Sequence, residues 1–177
     1  MKISTIWCEG CSGCHMSFLD MDERLVDLIN KGLEFDASPF TDLKIPSEGV
    51  DIGIIEGSVA TDTQEEEVKL MRKKCKLIVA IGDCAVFGGI PTMRNKYPIS
   101  EVFNRVYIEA ETNQNKHIPD GEDLSKLLPK VKPVDKVIKV DYYIPGCPPS
   151  ADAIFEVLSK IIEGEKPKLE GKLLSYE

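Results

Sequence analysis

Short apolar runs of strand length recur along the chain, and each ends in a loop that contains glycine. The clearest are KISTIWC (2–8), VDIGIIEG (50–57), KLIVAIG (76–82) and KVIKVDYYIPG (136–146). Polar stretches with helical periodicity separate them, as in TDTQEEEVKLMRKKC (61–75). Strands that alternate with helices in this way are typical of βαβ units. The sequence therefore predicts an α/β fold with a mostly parallel, doubly wound sheet.

The termini of three helices can also be predicted. A first helix follows Cys14 and ends near Gly32, because apolar residues recur there at helical spacing. Thr61 or Thr63 is the expected N-cap of the second helix, and Ser150 or Asp152 that of the last. The inner face of the last helix comprises Ile154, Val157, Leu158 and Ile161. LEFDASPF (33–40) is a weak additional strand.

Length and composition indicate one domain over residues 1–177. Residues 91–135 are polar, contain several prolines and are only weakly periodic, so they are predicted to form an irregular excursion, and 165–177 a charged tail. The longest apolar runs are too short for a membrane span. A net charge of −8 argues against a nucleic-acid partner. Met1 is followed at once by a strand pattern that leaves no room for a secretory signal, so we expect a cytoplasmic protein.

Cysteines occur in three loops that follow strands one, four and five: CEGCSGC, GDCA and PGCPP. Because the carboxyl ends of parallel strands meet at one edge of a sheet, these loops are expected to converge there. Without a secretory signal, six cysteines indicate metal or redox chemistry rather than a disulfide framework. Four thiolates suit zinc or an iron–sulfur cluster. Structural zinc usually uses two close Cys pairs, whereas Cys84 and Cys147 are single, so the cluster is favoured.

Other residues that could contribute to the site include His15 and Glu56, which allow two interpretations each. His15 is either a hydrogen-bond donor to a cluster sulfur or a polar residue in a first helical turn. Glu56 is either a proton or hydrogen-bond group at an interface or a carboxylate that faces a loop. Asp83 is expected to cap the turn that follows it. Cys75 is interpreted as a structural or semi-exposed thiol, and His117 as a solvated side chain rather than a ligand.

Four motifs together resemble the small subunit of nickel–iron hydrogenases, most specifically the short form found in cytoplasmic, NAD-linked or electron-bifurcating enzymes. They are GCSGCHMSFLD, IIEGSVAT, AIGDCAVFGGIPTMRN and IPGCPPSADAI, and they span nearly the whole chain in order. The resemblance implies a flavodoxin-like fold and one proximal [4Fe-4S] cluster with ligands Cys11, Cys14, Cys84 and Cys147. Cys8 matches no ligand position. Many members continue into a C-terminal region with two more clusters, which this sequence lacks.

The resemblance also implies a function. The chain would carry electrons between the nickel–iron site of a large subunit and a diaphorase module of flavin and iron–sulfur subunits. Three alternatives remain: a cluster-bearing subunit of the NADH–quinone oxidoreductase family, a flavodoxin-like FMN-binding redox switch, and a zinc-stapled structural subunit. The oxidoreductase family typically has adjacent cysteines where this chain has CSGC, and the phosphate loop of a flavodoxin would replace CEGCSGC. FMN therefore stays a secondary cofactor candidate.

Overall fold

The computed structural model describes residues 1–174, and within them five strands form one parallel sheet. In chain order the strands are β1 (Lys2–Trp7), β2 (Glu34–Phe35), β3 (Val50–Glu56), β4 (Val59–Thr61), β5 (Cys75–Ile81), β6 (Leu127–Lys132) and β7 (Tyr142–Ile144). The parallel sheet has the order β2-β1-β3-β5-β7. Counted within that sheet, this is the 2-1-3-4-5 order of flavodoxin-like folds. The predicted fold class is confirmed.

Helices cover both faces of the sheet. They are α1 (Gly13–Leu19), α2 (Glu23–Asn30), α3 (Asp62–Lys74), α4 (Gly82–Phe87), α5 (Ile99–Phe103) and α6 (Ala151–Ile162). One buried cluster packs α1, α2 and α6 against the sheet, and it includes Phe18, Leu28 and Leu158. A second cluster packs α3 and α4 against the other face, with Val68, Met71 and Ala85. The sheet is therefore doubly wound, as predicted.

Four strands of the sheet end at the same level. Trp7 pairs with Glu56, Glu56 with Ile81, and Ile81 with Ile144. Each of these residues is the last of its strand. The loops that leave this row begin side by side, so residues far apart in sequence meet at one edge.

The first helical segment differs from the prediction of one helix between Cys14 and Gly32. The chain forms two helices, α1 and α2, with a break at residues 20–22. Asp22 has a φ of +51°, a positive value that is uncommon for residues other than glycine. Met21 is buried in the break, so the kink keeps the apolar spacing while it turns the chain.

The excursion at 91–135 is more regular than its composition indicates. A 3-10 helix (Ile90–Lys96) leads into α5, and β6 pairs antiparallel with β4. The side chain of Asn95 fastens these parts together: its amide donates to the Val131 carbonyl at 2.9 Å, and its oxygen accepts the Val131 N–H at 2.7 Å. Residues 109–126 carry no helix or strand.

The fifth predicted strand, Lys136–Gly146, is shortened to the three residues of β7. Val134–Lys136 form a 3-10 turn instead, and Val134 is fully buried in the second cluster. Residues 137–141 follow a bent path that brings Val140 into the same cluster. The apolar residues of this segment are therefore buried because the backbone turns, and not because side chains alternate along a strand.

The C-terminal part of the chain consists of α6 and a tail, which the structure describes as far as residue 174. Ser150 caps α6 by accepting the Ala153 N–H at 3.2 Å, as one of the two predicted caps. The predicted inner face of α6 is buried. Of the predicted tail, Gly171–Leu174 form a 3-10 turn and residues 175–177 lie outside the described part. Within residues 1–174 no helix is long and apolar enough to cross a membrane.

The cap of α3 provides a test of this fold. Thr61 accepts the Gln64 N–H at 3.2 Å, and the Gln64 side chain accepts the Thr61 N–H at 3.2 Å, which is a capping box. We expect Thr61→Ala to lower the local opening free energy of the first turn of α3 by about 1 kcal/mol. Amide hydrogen exchange of that turn measures the change. Thr63→Ala is the matched control and should change protection little; an equal loss in both variants would contradict the assignment.

Candidate functional site

The predicted ligand cysteines lie at the row where the strands end. Cys11 and Cys14 flank the start of α1, Cys84 lies in the first turn of α4, and Cys147 follows β7. Cys14 is buried and Cys84 half-buried, whereas Cys11 and Cys147 are exposed. The structure thus places two thiols within the fold and two at its surface, all on one edge of the sheet.

The four thiols are within electrostatic reach of one another. The pKa of the Cys14 thiol is raised, first by burial and then by the nearby carboxylate of Glu56. Smaller contributions come from three other thiols: Cys11, Cys84 and Cys147. Burial likewise raises the pKa of Cys84, while the Ile90 N–H, which donates to its sulfur, acts in the opposite direction. A bound metal group would stabilise the thiolate form of both.

Two glycines keep space open around these sulfurs. A Cβ on Gly82 would lie 2.2 Å from Cys14 Sγ, and one on Gly89 would lie 2.8 Å from Cys84 Sγ. Both glycines have positive φ, at +83° and +50°, a region that other residues rarely adopt. Any larger residue would press on the thiols, so the loops are shaped around them.

Hydrogen bonds hold the loops that carry the cysteines together. The Asp83 N–H donates to the Gly146 carbonyl at 2.8 Å, and the Gly146 N–H donates to Asp83 Oδ1 at 2.8 Å. The Ser17 hydroxyl donates to the Pro149 carbonyl at 2.5 Å, which joins α1 to the Cys147 loop. The Asp83 carboxylate thus joins two loops across the site; the cap of the turn after it stays a prediction.

Glu56 is a buried carboxylate at the centre of the site. It accepts the backbone N–H groups of Cys14 at 3.2 Å and His15 at 2.9 Å, and it also contacts His15 Nδ1. Ser12 is the N-cap residue of α1, but within residues 1–174 its side chain makes no capping hydrogen bond. Glu56 is the acceptor for the first turn of α1 instead. Of its two interpretations, the structure supports a hydrogen-bond group.

The ring of His15 is enclosed by aromatic side chains. Trp7 and Phe40 each meet it edge-on, with centroids 5.7 Å and 5.8 Å away. Its Nδ1 contacts Glu56 rather than a thiol. Its Nε2 is buried and has no hydrogen-bond partner in the part of the chain that the structure describes.

The remaining cysteines lie in different surroundings. Burial, followed by the carboxylates of Glu67, Glu9 and Glu56, raises the pKa of Cys8 to about 12. Cys75, the first residue of β5, is buried in the second cluster, and burial raises its pKa to about 11. Of the two predicted alternatives, its burial supports a structural thiol rather than a semi-exposed one. His117 is exposed and lies 3.5 Å from the Asp120 carboxylate, as expected for a solvated side chain.

The four thiols suit a cluster rather than a single metal ion. Among residues 1–174 no three His, Cys, Asp or Glu side chains lie close enough to hold a single metal ion. A [4Fe-4S] cluster is a larger group that takes four thiolates, one for each iron. Four thiols, two glycines that leave their sulfurs unobstructed and an N–H directed at Cys84 fit such a group.

Several large apolar side chains that follow Cys84 in the chain are exposed. Phe87 and Ile90 are 63% and 69% exposed. Met93 and Tyr97 continue this surface along the 3-10 helix. We call these four residues the Phe87 surface. An apolar patch of this kind, beside candidate ligands, is typical of a protein–protein interface.

Comparisons with known proteins agree on one family. A profile of the family described as "NADH ubiquinone oxidoreductase, 20 Kd subunit" matches residues 11–161. The delta subunit of the NAD-reducing hydrogenase HoxS from Cupriavidus necator is 37% identical, over 100% of this chain and 86% of that subunit. The iron–sulfur subunit of an F420-non-reducing hydrogenase from Archaeoglobus profundus is 39% identical over 94% of this chain, which spans 57% of the length of that relative.

A solved structure matches the fold over its whole length. A chain of the NAD+-reducing [NiFe]-hydrogenase, in the H2-reduced state, superposes with a TM-score of 0.95 and 35% identity. The match covers 100% of this chain and 99% of the other. The fold is therefore shared, over nearly equal lengths, with a chain of an NAD+-reducing [NiFe]-hydrogenase.

The role of Glu56 can be tested by substitution. We expect Glu56→Leu to leave buried N–H groups of α1 without an acceptor, at a cost of about 1–3 kcal/mol for each. Glu56→Gln keeps one carbonyl oxygen and should lose less. Amide hydrogen exchange at Cys14 and His15 measures the effect, with the exposed Glu66→Leu as control. Unchanged protection in Glu56→Leu would refute this role.

Proposed function

This chain belongs to the NADH ubiquinone oxidoreductase 20 Kd subunit family, as a small subunit of the NAD-reducing nickel–iron hydrogenase type, and from that premise we propose that Cys11, Cys14, Cys84 and Cys147 hold one [4Fe-4S] cluster. The observation that carries this proposal is the convergence of four thiols from three distant loops at one sheet edge. The glycines that leave room beside two of the sulfurs support it.

The proposed role is electron transfer during reversible oxidation of dihydrogen. The nickel–iron site lies on the large subunit, and the acceptor side is a diaphorase module of flavin and iron–sulfur subunits. When bound, the cluster supplies a one-electron carrier between the two. NAD reduction, as printed for the Cupriavidus necator relative, is the proposed overall reaction. We propose a cytoplasmic complex, because six unpaired thiols suit a reducing compartment.

The chain's own residues position the ligands and control their surroundings. The sheet edge and Glu56 fix Cys14 and the first turn of α1. The Ile90 N–H donates to Cys84 Sγ and so favours its thiolate form. Hydrogen bonds to ligand sulfurs and burial are the means by which a protein tunes a cluster's potential.

The Phe87 surface is the proposed contact with the large subunit. It begins three residues after Cys84 and includes the first part of the excursion. Docking there would cover the two thiols that are exposed in the single chain, Cys11 and Cys147. Water would then be excluded from the ligands, and the electron path to the nickel–iron site would be short.

The ligand assignment can be tested cysteine by cysteine. We expect Cys11→Ala and Cys14→Ala, made in the anaerobically purified complex, to lose the [4Fe-4S] signal of this chain in electron paramagnetic resonance spectra. Cys84→Ala and Cys147→Ala should do the same, because the cluster takes four thiolates.

Cys8→Ala and Cys75→Ala are the matched controls, since both remove a thiol outside the proposed set. Both should keep the signal. A Cys8→Ala complex without the signal, beside a Cys14→Ala complex that retains it, would show that the ligands at the end of β1 are a different pair.

The relay itself has a separate test. We expect Cys14→Ala to abolish H2-dependent NAD reduction by the complex while NADH-dependent dye reduction by the diaphorase module continues. Of the two assays, only H2-dependent NAD reduction requires electrons to pass through this chain. Full H2-dependent NAD reduction in the variant would contradict the proposed function.

A further inference from the structure

The strand that leads to Cys147 is short and is held at both ends by aspartates. β7 has three residues and pairs along one side with β5. Before it, the Asp141 N–H donates to the Ile78 carbonyl at 2.9 Å, and the Ile78 N–H donates to Asp141 Oδ2 at 2.8 Å. After it, Asp83 and Gly146 form the same reciprocal pair. Three ladder residues alone would fix the loop weakly.

The pair after β7 lies inside the site. Asp83 immediately precedes Cys84, and Gly146 immediately precedes Cys147. One carboxylate and one peptide group therefore join two loops whose cysteines are 63 residues apart. A Cβ on Gly82 would also lie 3.6 Å from the Gly146 carbonyl and 2.2 Å from Cys14 Sγ, so the Gly146 loop lies beside a third thiol.

We propose that Asp83 is a positioning residue for the cluster, and that its carboxylate fixes Cys147 relative to Cys84. This inference rests on the proposed function, because it concerns two of the four assigned ligands. It assigns a role to a side chain that is not itself a ligand. The role depends on an oxygen acceptor at Oδ1, which aspartate and asparagine share.

Gly146 has no side chain that could hold its backbone in place. Its φ is +141°, and a Cβ at this position would lie 2.4 Å from Pro149 Cα. The loop is therefore restricted to glycine here, and its position depends on what its backbone binds. The Asp83 carboxylate is the side-chain acceptor for that backbone N–H.

A third pair with the same geometry lies away from the cysteines and provides a control. The Asp62 N–H donates to the Lys126 carbonyl at 3.0 Å, and the Lys126 N–H donates to Asp62 Oδ1 at 2.9 Å. This pair joins the start of α3 to the residue before β6. Both aspartates thus tie a helix start to a distant segment, and only one of these segments carries a proposed ligand.

The experiment compares Asp83→Ala and Asp83→Asn with Asp62→Ala and Asp62→Asn in the anaerobically purified complex. Loss of the [4Fe-4S] signal of this chain is followed during titration with an iron chelator, and the midpoint potential of that signal is measured by redox titration. We expect Asp83→Ala to release the cluster at about 10–100-fold lower chelator concentration, the usual effect of losing an outer-shell partner.

Asp83→Asn should keep the chelator resistance of the unaltered complex, because it retains the acceptor. Its midpoint potential should rise, since one negative charge beside the ligands is removed. Both Asp62 variants should leave chelator resistance and potential unchanged, even where they lower the melting temperature. Circular dichroism of the Asp83 variants checks that the fold is intact.

Two results would overturn the inference. One is an Asp83→Ala complex with unaltered chelator resistance. The other is equal sensitivity in Asp83→Ala and Asp62→Ala, which would indicate general destabilisation. Failure of the proposed function gives a different result, in which the unaltered complex shows no [4Fe-4S] signal from this chain.

Discussion

The shared end row of the parallel sheet is the constraint on which the site depends. Trp7, Glu56, Ile81 and Ile144 pair across four strands, and the cysteine loops leave directly from this row. A slip of one residue in any strand would turn its side chains to the opposite face and move its loop. Buried isoleucines on both faces of β3 fix the register, so the hydrophobic core also fixes where the thiols meet.

Hydrogen bonds at the sheet edge fix the cysteine loops more closely than the hydrophobic core alone does. Glu56 fixes the first turn of α1, and Asp83 fastens the Cys84 loop to the Cys147 loop. Burying a carboxylate is costly unless it is well hydrogen-bonded, and Glu56 accepts two backbone N–H groups and contacts a histidine ring nitrogen. These contacts cross the sheet edge between segments that are at least 40 residues apart in sequence. The geometry of the proposed ligands therefore depends on the hydrophobic core and on a few hydrogen bonds at the edge of the sheet.

Much of this could be predicted from the sequence, and the exceptions have physical causes. Apolar runs and capping residues are local signals, so the order of the main strands and helices could be predicted, and each cap could be narrowed to two residues. Thr61 and Ser150 are the caps that the structure selects. The break at Asp22 was not, because apolar spacing continues through it. The short β7 and the pairing of β6 with β4 depend on partners distant in the chain. The role of Asp83 depends likewise on a loop 63 residues away, and no local pattern reports it.

The central claim is that the four thiols of this sheet edge hold one iron–sulfur cluster. The most direct measurement is the iron, acid-labile sulfide, zinc and flavin content of this chain after anaerobic purification. The account predicts about four irons and four sulfides per chain, with neither zinc nor flavin. One zinc per chain without iron would contradict it.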